Sequence, residues 1–282
     1  MTGAGGQLGT DVARLASLEP RHEVVAATRA DLDVGDRDAV MSAVTSLRPD
    51  LVVHAAAWTA VDACETDPDR AWRVNALGCR YLAEAAGITG SHVVAVSTDY
   101  VFDGTSPDPY NEWDRPNPLG AYGRSKLAGE VELRSGLPAA TIVRTSWVCG
   151  ANGANMVKTI LRLASGDSKL RFVDDQQGCP TFTEDLAGML LRLGAARRSG
   201  LFHVTNQGPT TWYGFAQAVM QAAGFDPSRV EPISTQNLDP PRPAPRPANS
   251  VLDNAALRLA AIRLLPDYHE PLERTVKALV AA

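Results

Sequence analysis

The sequence is poor in cysteine, has no excess of positive charge and contains no long apolar run. Its cysteines, Cys64, Cys79, Cys149 and Cys179, lie far apart, with no Cys-x-x-Cys pair and no histidine at metal-ligand spacing. Neither a disulfide framework nor a zinc site is therefore expected. The formal net charge of -5 gives no electrostatic basis for binding nucleic acid or anionic lipid.

Membrane insertion and secretion are also disfavoured. The longest apolar runs, such as residues 51–57, have the length of a strand and fall far short of a membrane span. The N-terminus has no basic segment followed by an apolar one. We therefore expect a cytoplasmic protein without nucleic-acid or membrane partners, whose 282 residues form one large domain or two smaller ones.

Short apolar segments alternate with helical patterns through the first half of the chain. This alternation predicts a parallel sheet with helices on both faces, in which ligands bind beyond the carboxyl ends of the strands. The expected fold is thus a Rossmann-type doubly wound α/β sheet. The predicted strands are 24–27, 51–54, 92–97, 140–144 and 201–205, and the predicted helices are 37–48, 69–86, 125–133 and 156–164. Thr183 and Thr211 are expected to cap two further helices.

Three glycines near the N-terminus, Gly3, Gly6 and Gly9, precede residues that are typical of a first helical turn. Glycines at this spacing allow a tight turn and bring backbone N–H groups close to a pyrophosphate. Such a turn normally follows a hydrophobic strand of about five residues. Only Met1 and Thr2 stand before Gly3, so we expect either a misplaced or trimmed start or a truncated central strand that impairs the cofactor crevice.

Tyr122 and Lys126 are four residues apart and would share one face of a helix. A neighbouring cation stabilises a phenolate and moves the phenol pKa towards the working range, as proton transfer to a carbonyl requires. Thr98 ends a predicted strand and could hydrogen-bond the same oxygen. The pair alone is more often structural, but together with the glycine turn it indicates carbonyl reduction by a nicotinamide.

These features together resemble the extended short-chain dehydrogenase/reductases. More narrowly, the chain resembles the dTDP-4-dehydrorhamnose reductases from Gly3 to Ser250. The resemblance is carried by residues 54–62, 96–104, 122–130, 144–148 and 174–176. It implies reduction of the 4-keto group of dTDP-4-dehydro-6-deoxy-L-mannose (dTDP-4-dehydro-L-rhamnose) to dTDP-L-rhamnose, a precursor of cell-wall polysaccharide.

The resemblance implies a cofactor site made of several short segments. Beside Gly3 and Gly9, the pyrophosphate would meet Gly6, Gln7 and Leu8. The adenine would lie along Asp33 and Val34, and the nicotinamide ribose would be flanked by Ala57, Trp58, Thr59, Tyr122 and Lys126. Asp33 could equally be a helix N-cap, and both roles are compatible.

The resemblance also implies the catalytic set and the sugar contacts. Tyr122 would donate the proton, Lys126 would tune it, and Thr98 would give the sugar oxygen a second hydrogen bond. The deoxysugar would be held by Asp99, Tyr100 and Trp147. Without the resemblance, an ordinary core role for Trp147 would be preferred.

The choice of nicotinamide depends on the end of the second predicted strand. A carboxylate there would bind the adenosine ribose hydroxyls and repel a 2′-phosphate. The sequence instead has Arg29 at this point, with Asp31 close by, so NADPH is favoured and NADH remains possible. Magnesium is possible in relatives through the position of Glu184, but the sequence does not support it and we predict no metal.

Other functions remain open. A dehydratase is disfavoured because Tyr100 stands where a second carboxylate would follow Asp99. A different nucleotide-sugar 4-reductase, a 4-epimerase or a non-catalytic regulatory relative would have a similar sequence. We expect residues 1–147 to form an NADP(H)-binding domain and residues 148–282 to form mainly a substrate-binding lobe interleaved with it, in a monomer or homodimer.

Overall fold

Parallel strand pairing dominates the structure, a computed structural model that describes residues 1–281. Its strands are β1 (Leu51–His54), β2 (His92–Thr98), β3 (Thr141–Thr145), β4 (Val148–Cys149), β5 (Leu170–Val173), β6 (Gln177–Gly178), β7 (Thr181–Phe182), β8 (Gly200–His203), β9 (Thr210–Thr211) and β10 (Val230–Ile233). The main sheet has the order β1-β2-β3-β8, and all three of its pairings are parallel. The predicted Rossmann-type sheet is therefore confirmed.

Helices alternate with these strands through most of the chain. They are α1 (Gln7–Ser17), α2 (Arg37–Leu47), α3 (Val61–Thr66), α4 (Pro68–Trp72), α5 (Gly78–Thr89), α6 (Ala121–Gly136), α7 (Met156–Ala164), α8 (Thr183–Ala195), α9 (Trp212–Ala222), α10 (Ala255–Leu259) and α11 (His269–Val280). A π-helical turn at Arg73–Leu77 joins α4 to α5. Among residues 1–281, every helix is too short or too polar to span a bilayer.

Helices cover both faces of the main sheet because successive strand residues point to opposite sides. Val94 and Val143 pack against α1 and α8, whereas Val93 and Ile142 pack against α2 and α5. A separate core joins α7, α9 and α11 to the β5-β10 pair. Within the described chain, apolar cores therefore lie on both faces of the sheet, and a third lies in the C-terminal half.

The N-terminal residues take the central place in the sheet that a longer strand would fill. Thr2 makes parallel bridges to both Ala27 and His54, and its N–H donates to the Val53 carbonyl at 3.0 Å. The predicted strand 24–27 is wrong, because only Ala27 is bridged. Met1 and Thr2 offer too short a backbone edge to pair a full strand beside them.

Several predicted helices begin elsewhere than expected. The helix predicted at 69–86 is divided among α4, the π-helical turn and α5, while α6 begins at Ala121 and so includes Tyr122. Thr211 caps α9 as predicted, accepting from the Gly214 N–H at 3.1 Å. Thr183 is not a cap, because it is the first residue of α8 and its hydroxyl donates to Asp11 Oδ2.

Residues 244–253, which we call the closing segment, connect the two halves of the chain. The Gln177 N–H donates to the Ala248 carbonyl at 2.7 Å, and the Ser250 N–H donates to the Gln177 carbonyl at 2.8 Å. Further along, the Tyr110 N–H donates to the Val251 carbonyl at 2.8 Å. The closing segment therefore ties the C-terminal half to the loop that follows β2.

Candidate active site

A cleft of about 440 Å³ opens at the carboxyl end of β1 and the adjacent N-terminal residues. It brings together many of the predicted cofactor residues: Gly3, Gly6, Arg29, Asp33, Val34, Ala57 and Trp58. Six predicted cofactor residues do not line this cleft in the described part of the chain: Gln7, Leu8, Gly9, Thr59, Tyr122 and Lys126. Leu8 packs in the core beside α8, so only its backbone is available to a ligand, and Thr59 is exposed.

The glycine turn is packed so closely that Gly3 and Gly9 leave no room for a side chain. Gly3 has φ +75°, and a Cβ added to it would lie 2.6 Å from the Ala56 nitrogen. A Cβ on Gly9 would lie 2.0 Å from the Gly3 carbonyl oxygen. The N-cap of α1, Gly6, has no side chain to occupy the helix N-terminus. Backbone N–H groups are therefore left to face an anionic group, and this arrangement fits a nucleotide diphosphate.

Asp33 lines the cleft but does not cap α2. Its carboxylate accepts from the Gly35 N–H at 2.9 Å and pairs with Arg73 at 3.3 Å. The alternative N-cap role is wrong, because Asp36 caps α2 by accepting from the Ala39 N–H at 3.1 Å. The Gly35 hydrogen bond, followed by Arg73, holds the pKa of Asp33 below its usual value.

Arg29 lines the same end of the cleft, and the nearby carboxylate of Asp31 is engaged elsewhere. Both the N–H and the hydroxyl of Thr28 donate to Asp31 Oδ2, at 2.9 and 2.7 Å. Since Arg73 offsets the charge of Asp33, the cleft can receive a further negative charge near Arg29.

Two residues that sequence reasoning missed fix the position of Trp58. Asn75 lies in the π-helical turn, accepts from the Trp58 N–H at 2.8 Å and donates to the Trp58 carbonyl at 3.1 Å. Its Nδ2 also donates to Ser125 Oγ on α6 at 3.0 Å. The Arg70 guanidinium lies over the Trp58 ring, 4.4 Å from the centroid. An asparagine and an arginine within a helical pattern give no sequence signal of these contacts.

Tyr122 and Thr98 meet where β2 ends and α6 begins. A Cβ on Gly123 would lie 2.1 Å from the Tyr100 carbonyl oxygen, so glycine allows α6 to approach the turn after β2. Tyr122 is buried, and its ring packs edge-on against that of Tyr100 with centroids 5.7 Å apart. Burial raises the pKa of Tyr122, and the nearby Thr98 hydroxyl opposes the rise.

Lys126 is buried one turn further along α6, but its ammonium points into the sheet. Nζ donates to the Val96 carbonyl at 2.7 Å. Burial lowers the pKa of Lys126, and Cys79 and Glu130 oppose that shift. The tuning of the phenol by the ammonium stays a prediction.

Asp99 and Tyr100 form the turn after Thr98. The Thr98 hydroxyl donates to Asp99 Oδ1 at 3.0 Å and accepts from the Tyr100 N–H at 3.2 Å. Burial raises the pKa of Asp99 to about 6. Burial also raises the pKa of Tyr100 to about 12, and Arg246 of the closing segment partly opposes this shift. Sequence reasoning assigned no role to Arg246.

Trp147 belongs to the C-terminal side of the molecule. It has φ +46°, a backbone conformation that is rare for a bulky residue. Its ring stacks on that of Trp212 with centroids 3.6 Å apart. A Cβ on Gly178 would lie 2.5 Å from the indole, so the ring is held on that side by backbone. Trp147 remains half-buried, and strain of this kind favours a functional role over simple packing.

Glu184, the position associated with magnesium, is held between two guanidinium groups. It pairs with Arg14 at 2.8 Å and with Arg274 at 3.2 Å. Within the described residues, no group of three metal-binding side chains comes together. The structure thus gives Glu184 a structural role between α1 and α11.

Comparison with known proteins shows which family the chain belongs to. The profile described as "RmlD substrate binding domain" matches residues 1–281. The chain belongs to this family. It is 42% identical to a dTDP-4-dehydrorhamnose reductase of Streptomyces griseus, over 99% of this chain and 93% of that protein.

Solved structures of the family superpose closely on this one. A dTDP-4-dehydrorhamnose reductase from Clostridium acetobutylicum is 39% identical with a TM-score of 0.94, covering 99% of this chain and 98% of that one. One from Bacillus anthracis, in complex with NADP, is 36% identical with a TM-score of 0.93, covering 98% and 97%. The predicted resemblance to dTDP-4-dehydrorhamnose reductases is confirmed.

Proposed function

We propose that this protein reduces the 4-keto group of dTDP-4-dehydro-6-deoxy-L-mannose with NADPH, giving dTDP-L-rhamnose for polysaccharide precursors. The observation that carries the proposal is the packing of Tyr122 against the turn that follows Thr98 at the carboxyl end of β2. This strand lies in the same sheet whose β1 end opens into the glycine-lined cleft. The reductases named above, and the NADP complex of one of them, support the choice of substrate and cofactor.

The cofactor would bind along the cleft. Gly3, Gly6 and Gly9 would let the pyrophosphate approach the start of α1, where the backbone N–H groups of Gln7 and Leu8 would receive it. Its adenine would lie against Asp33 and Val34, and its nicotinamide ribose against Ala57, Trp58 and Thr59. When bound, reduced nicotinamide supplies hydride to the carbonyl carbon.

The 2′-phosphate of NADPH would lie beside Arg29. Asp33 does not oppose it, because Arg73 offsets that carboxylate. The carboxylate of Asp31 is bound to Thr28, so neither acid presents an uncompensated charge to the phosphate. We therefore propose NADPH over NADH.

The sugar would bind where both halves of the chain meet. Tyr122 would donate a proton to the carbonyl oxygen while Thr98 gives the same oxygen a second hydrogen bond. Lys126 would leave the Val96 carbonyl to bind the nicotinamide ribose and favour the phenolate. Asp99, Tyr100 and Trp147 would hold the deoxysugar. Trp147 stacks on Trp212 and so lies against the second half of the chain. We propose residues 1–147 mainly as the cofactor domain and residues 148–282 mainly as the substrate lobe that supports these contacts.

The direct test mixes the protein with NADPH and enzymatically prepared dTDP-4-keto-6-deoxy-L-sugar. Loss of nicotinamide absorbance, matched by formation of dTDP-L-rhamnose, is the expected result. Nicotinamide retained tightly through purification, together with interconversion of the C4 epimers of a 4-hydroxy nucleotide sugar and no net NADPH oxidation, would instead indicate a 4-epimerase. No oxidation at any substrate concentration would refute the proposed reduction.

Substitution of Tyr122 tests the proton donor. We expect Tyr122→Phe to keep NADPH affinity but lose about 10²–10⁴-fold in kcat, the usual contribution of a positioned general acid. Lys126→Ala should weaken both cofactor binding and turnover. Tyr81→Phe, on α5 against the opposite core, is the matched control and should change neither. Normal turnover by Tyr122→Phe would mean that another acid supplies the proton.

A further inference from the structure

Arg70 on α4 brings a positive charge to the cofactor cleft that the binding mode described above does not use. It lines the cleft beside Trp58 and is half-buried. Its guanidinium lies over the Trp58 ring, 4.4 Å from the centroid. Among residues 1–281, no carboxylate oxygen comes within 4.0 Å of this guanidinium. The N–H groups of the guanidinium are therefore left for another acceptor.

The acids in the surroundings of Arg70 are bound to backbone N–H groups. Glu65, Asp67 and Arg70 all lie close enough to Cys64 to shift the pKa of its thiol. Glu65 Oε1 accepts from the Ala121 N–H at 2.6 Å, and Asp67 Oδ1 accepts from the Arg70 N–H at 3.1 Å as the N-cap of α4. These contacts direct both carboxylates to helix N-termini and away from the guanidinium.

The stack on Trp58 holds the guanidinium in place without using its donors. Asn75 fixes the backbone of Trp58, with hydrogen bonds of 2.8 and 3.1 Å. Arginine stacks on an aromatic ring through its flat face, whereas its N–H groups lie along the edge. That edge carries five donors and matches the oxygens of a phosphate group. A stacked and unpaired arginine in a cleft is therefore suited to bind phosphate.

Arg70 and Arg29 lie on opposite flanks of the glycine turn. Thr2, just before the turn, is bridged to Ala27 on one side and to His54 on the other. Arg29 comes shortly after Ala27 in the chain, whereas the tryptophan beneath Arg70 comes shortly after His54. The glycine turn thus separates the two arginines that line the cleft.

The covalent order of NADPH decides which phosphate each arginine can meet. The 2′-phosphate is attached to the adenosine ribose, and the pyrophosphate joins the two riboses. In the proposed binding mode, adenosine lies on the flank of Arg29 and the nicotinamide ribose lies against Trp58. A cation stacked on Trp58 is therefore on the side of the pyrophosphate and remote from the 2′-phosphate.

We propose that the Arg70 guanidinium binds the cofactor pyrophosphate, together with the backbone N–H groups at the start of α1. The inference deepens the proposed function and rests on its placement of the cofactor. It gives the two arginines of the cleft separate roles. Arg70 would strengthen the binding of NADPH and NADH alike, whereas Arg29 would favour NADPH over NADH.

Equilibrium titration of nicotinamide fluorescence with NADPH and NADH gives the test. Arg70→Met keeps an apolar stem over Trp58 but removes the charge and the donors. We expect Kd to rise about tenfold or more for both nucleotides, by the same factor. ADP-ribose, which has the pyrophosphate but no 2′-phosphate, should lose that factor too by calorimetry. Adenosine 2′-monophosphate, which has no pyrophosphate, should bind equally to both proteins.

Two further variants separate the charge of Arg70 from its packing. Arg80→Met removes an equal charge from the exposed surface of α5, where Arg80 pairs with Glu132, and should leave every Kd unchanged. Arg70→Lys keeps the charge but not the planar donors, so its Kd values should lie between those of the wild-type protein and Arg70→Met. The Tm of each variant should stay close to that of the wild-type protein.

Four results would overturn the proposal. One is an Arg70→Met protein that binds both nucleotides as tightly as the wild-type protein does. A loss confined to NADPH would assign Arg70 to the 2′-phosphate. An Arg70→Lys protein as weak as Arg70→Met would mean that packing on Trp58 matters and the charge does not. Weaker binding of dTDP with unchanged binding of ADP-ribose would assign Arg70 to the diphosphate of the substrate.

These titrations need no keto sugar, so they are independent of the reductase assay. If the sugar is not reduced but Arg70→Met loses affinity for both nucleotides, the proposed reduction fails and the role of Arg70 stands. If the sugar is reduced and Arg70→Met binds both nucleotides normally, only the role of Arg70 fails.

Discussion

The buried ion pair between Glu130 and Arg144 should be the most sensitive point of the sheet behind the active site. Both side chains are 2% exposed, and the guanidinium donates through Nε at 2.9 Å and through Nη2 at 2.7 Å. Glu130 also accepts from Ser97, the residue before Thr98, at 2.5 Å. The pair thus joins α6 to β2 and β3 just behind Thr98 and Lys126.

Removing one partner of this ion pair should destabilise the protein far more than replacing both partners with apolar residues. Arg144→Met leaves the Glu130 carboxylate buried with only Ser97 as a donor, and breaking such a pair costs about 3–5 kcal/mol. At a urea slope of about 3 kcal/mol per M, the unfolding midpoint should fall by roughly 1–1.7 M. The double variant Arg144→Met/Glu130→Leu removes both charges, so its loss should be smaller than the sum of the single losses.

Urea unfolding of the single and double variants measures these losses in the free energy of unfolding. The control is Arg80→Met, because Arg80 makes an equally bidentate pair with Glu132 on the same helix α6, but at the surface. That change should leave the midpoint nearly unaltered. Additive losses in the double variant, or an Arg144→Met loss no larger than that of Arg80→Met, would refute the reasoning.

Two further predictions concern the cofactor cleft. Gly9→Ala would place a methyl group 2.0 Å from the Gly3 carbonyl, so it should cost about 1–3 kcal/mol of stability and weaken NADPH binding at least tenfold by fluorescence titration. Gly188→Ala, exposed in α8 with open space around it, should instead stabilise by about 0.5–1 kcal/mol, and equal behaviour of the two variants would contradict this account. Arg29→Ala should raise the KM for NADPH about tenfold or more, since a hydrogen bond to a charged group contributes about 1.5–3 kcal/mol, and leave that for NADH unchanged. A wild-type KM that is lower for NADH than for NADPH would show that Arg29 does not select the cofactor.

The predictable parts of the fold are strands and helices whose own sequence pattern, an apolar run or a helical spacing of apolar residues, identifies them. The apolar runs at β1, β2 and β3 and the helical pattern at 156–164 each match an observed element closely. The segment 24–27 has a strand-like sequence but no strand, because pairing depends on a neighbour that here is two residues long. The sequence pattern of residues 24–27 contains no information about the length of the strand that would pair with them.

In the candidate site too, the sequence predicts which residues share a helix but not which distant groups their side chains contact. The spacing of Tyr122 and Lys126 correctly predicted a shared helix, but it could not predict that Nζ would donate to the Val96 carbonyl. Asn75, which holds the backbone of Trp58, lies in a π-helical turn that has no distinctive sequence pattern. Such contacts depend on distant segments meeting in space.

The closing segment shows why the chemistry of the site belongs to the whole chain and not to its first half. Arg246 pairs with Asp62 through two bonds of 2.9 Å and partly opposes the rise that burial causes in the pKa of Tyr100. Ser250 likewise opposes the rise in the pKa of Asp99. Both residues come from the last forty or so positions, yet each acts on the turn directly after Thr98. The environment of that turn, and with it the pKa of Asp99 and of Tyr100, therefore depends on residues of the C-terminal half.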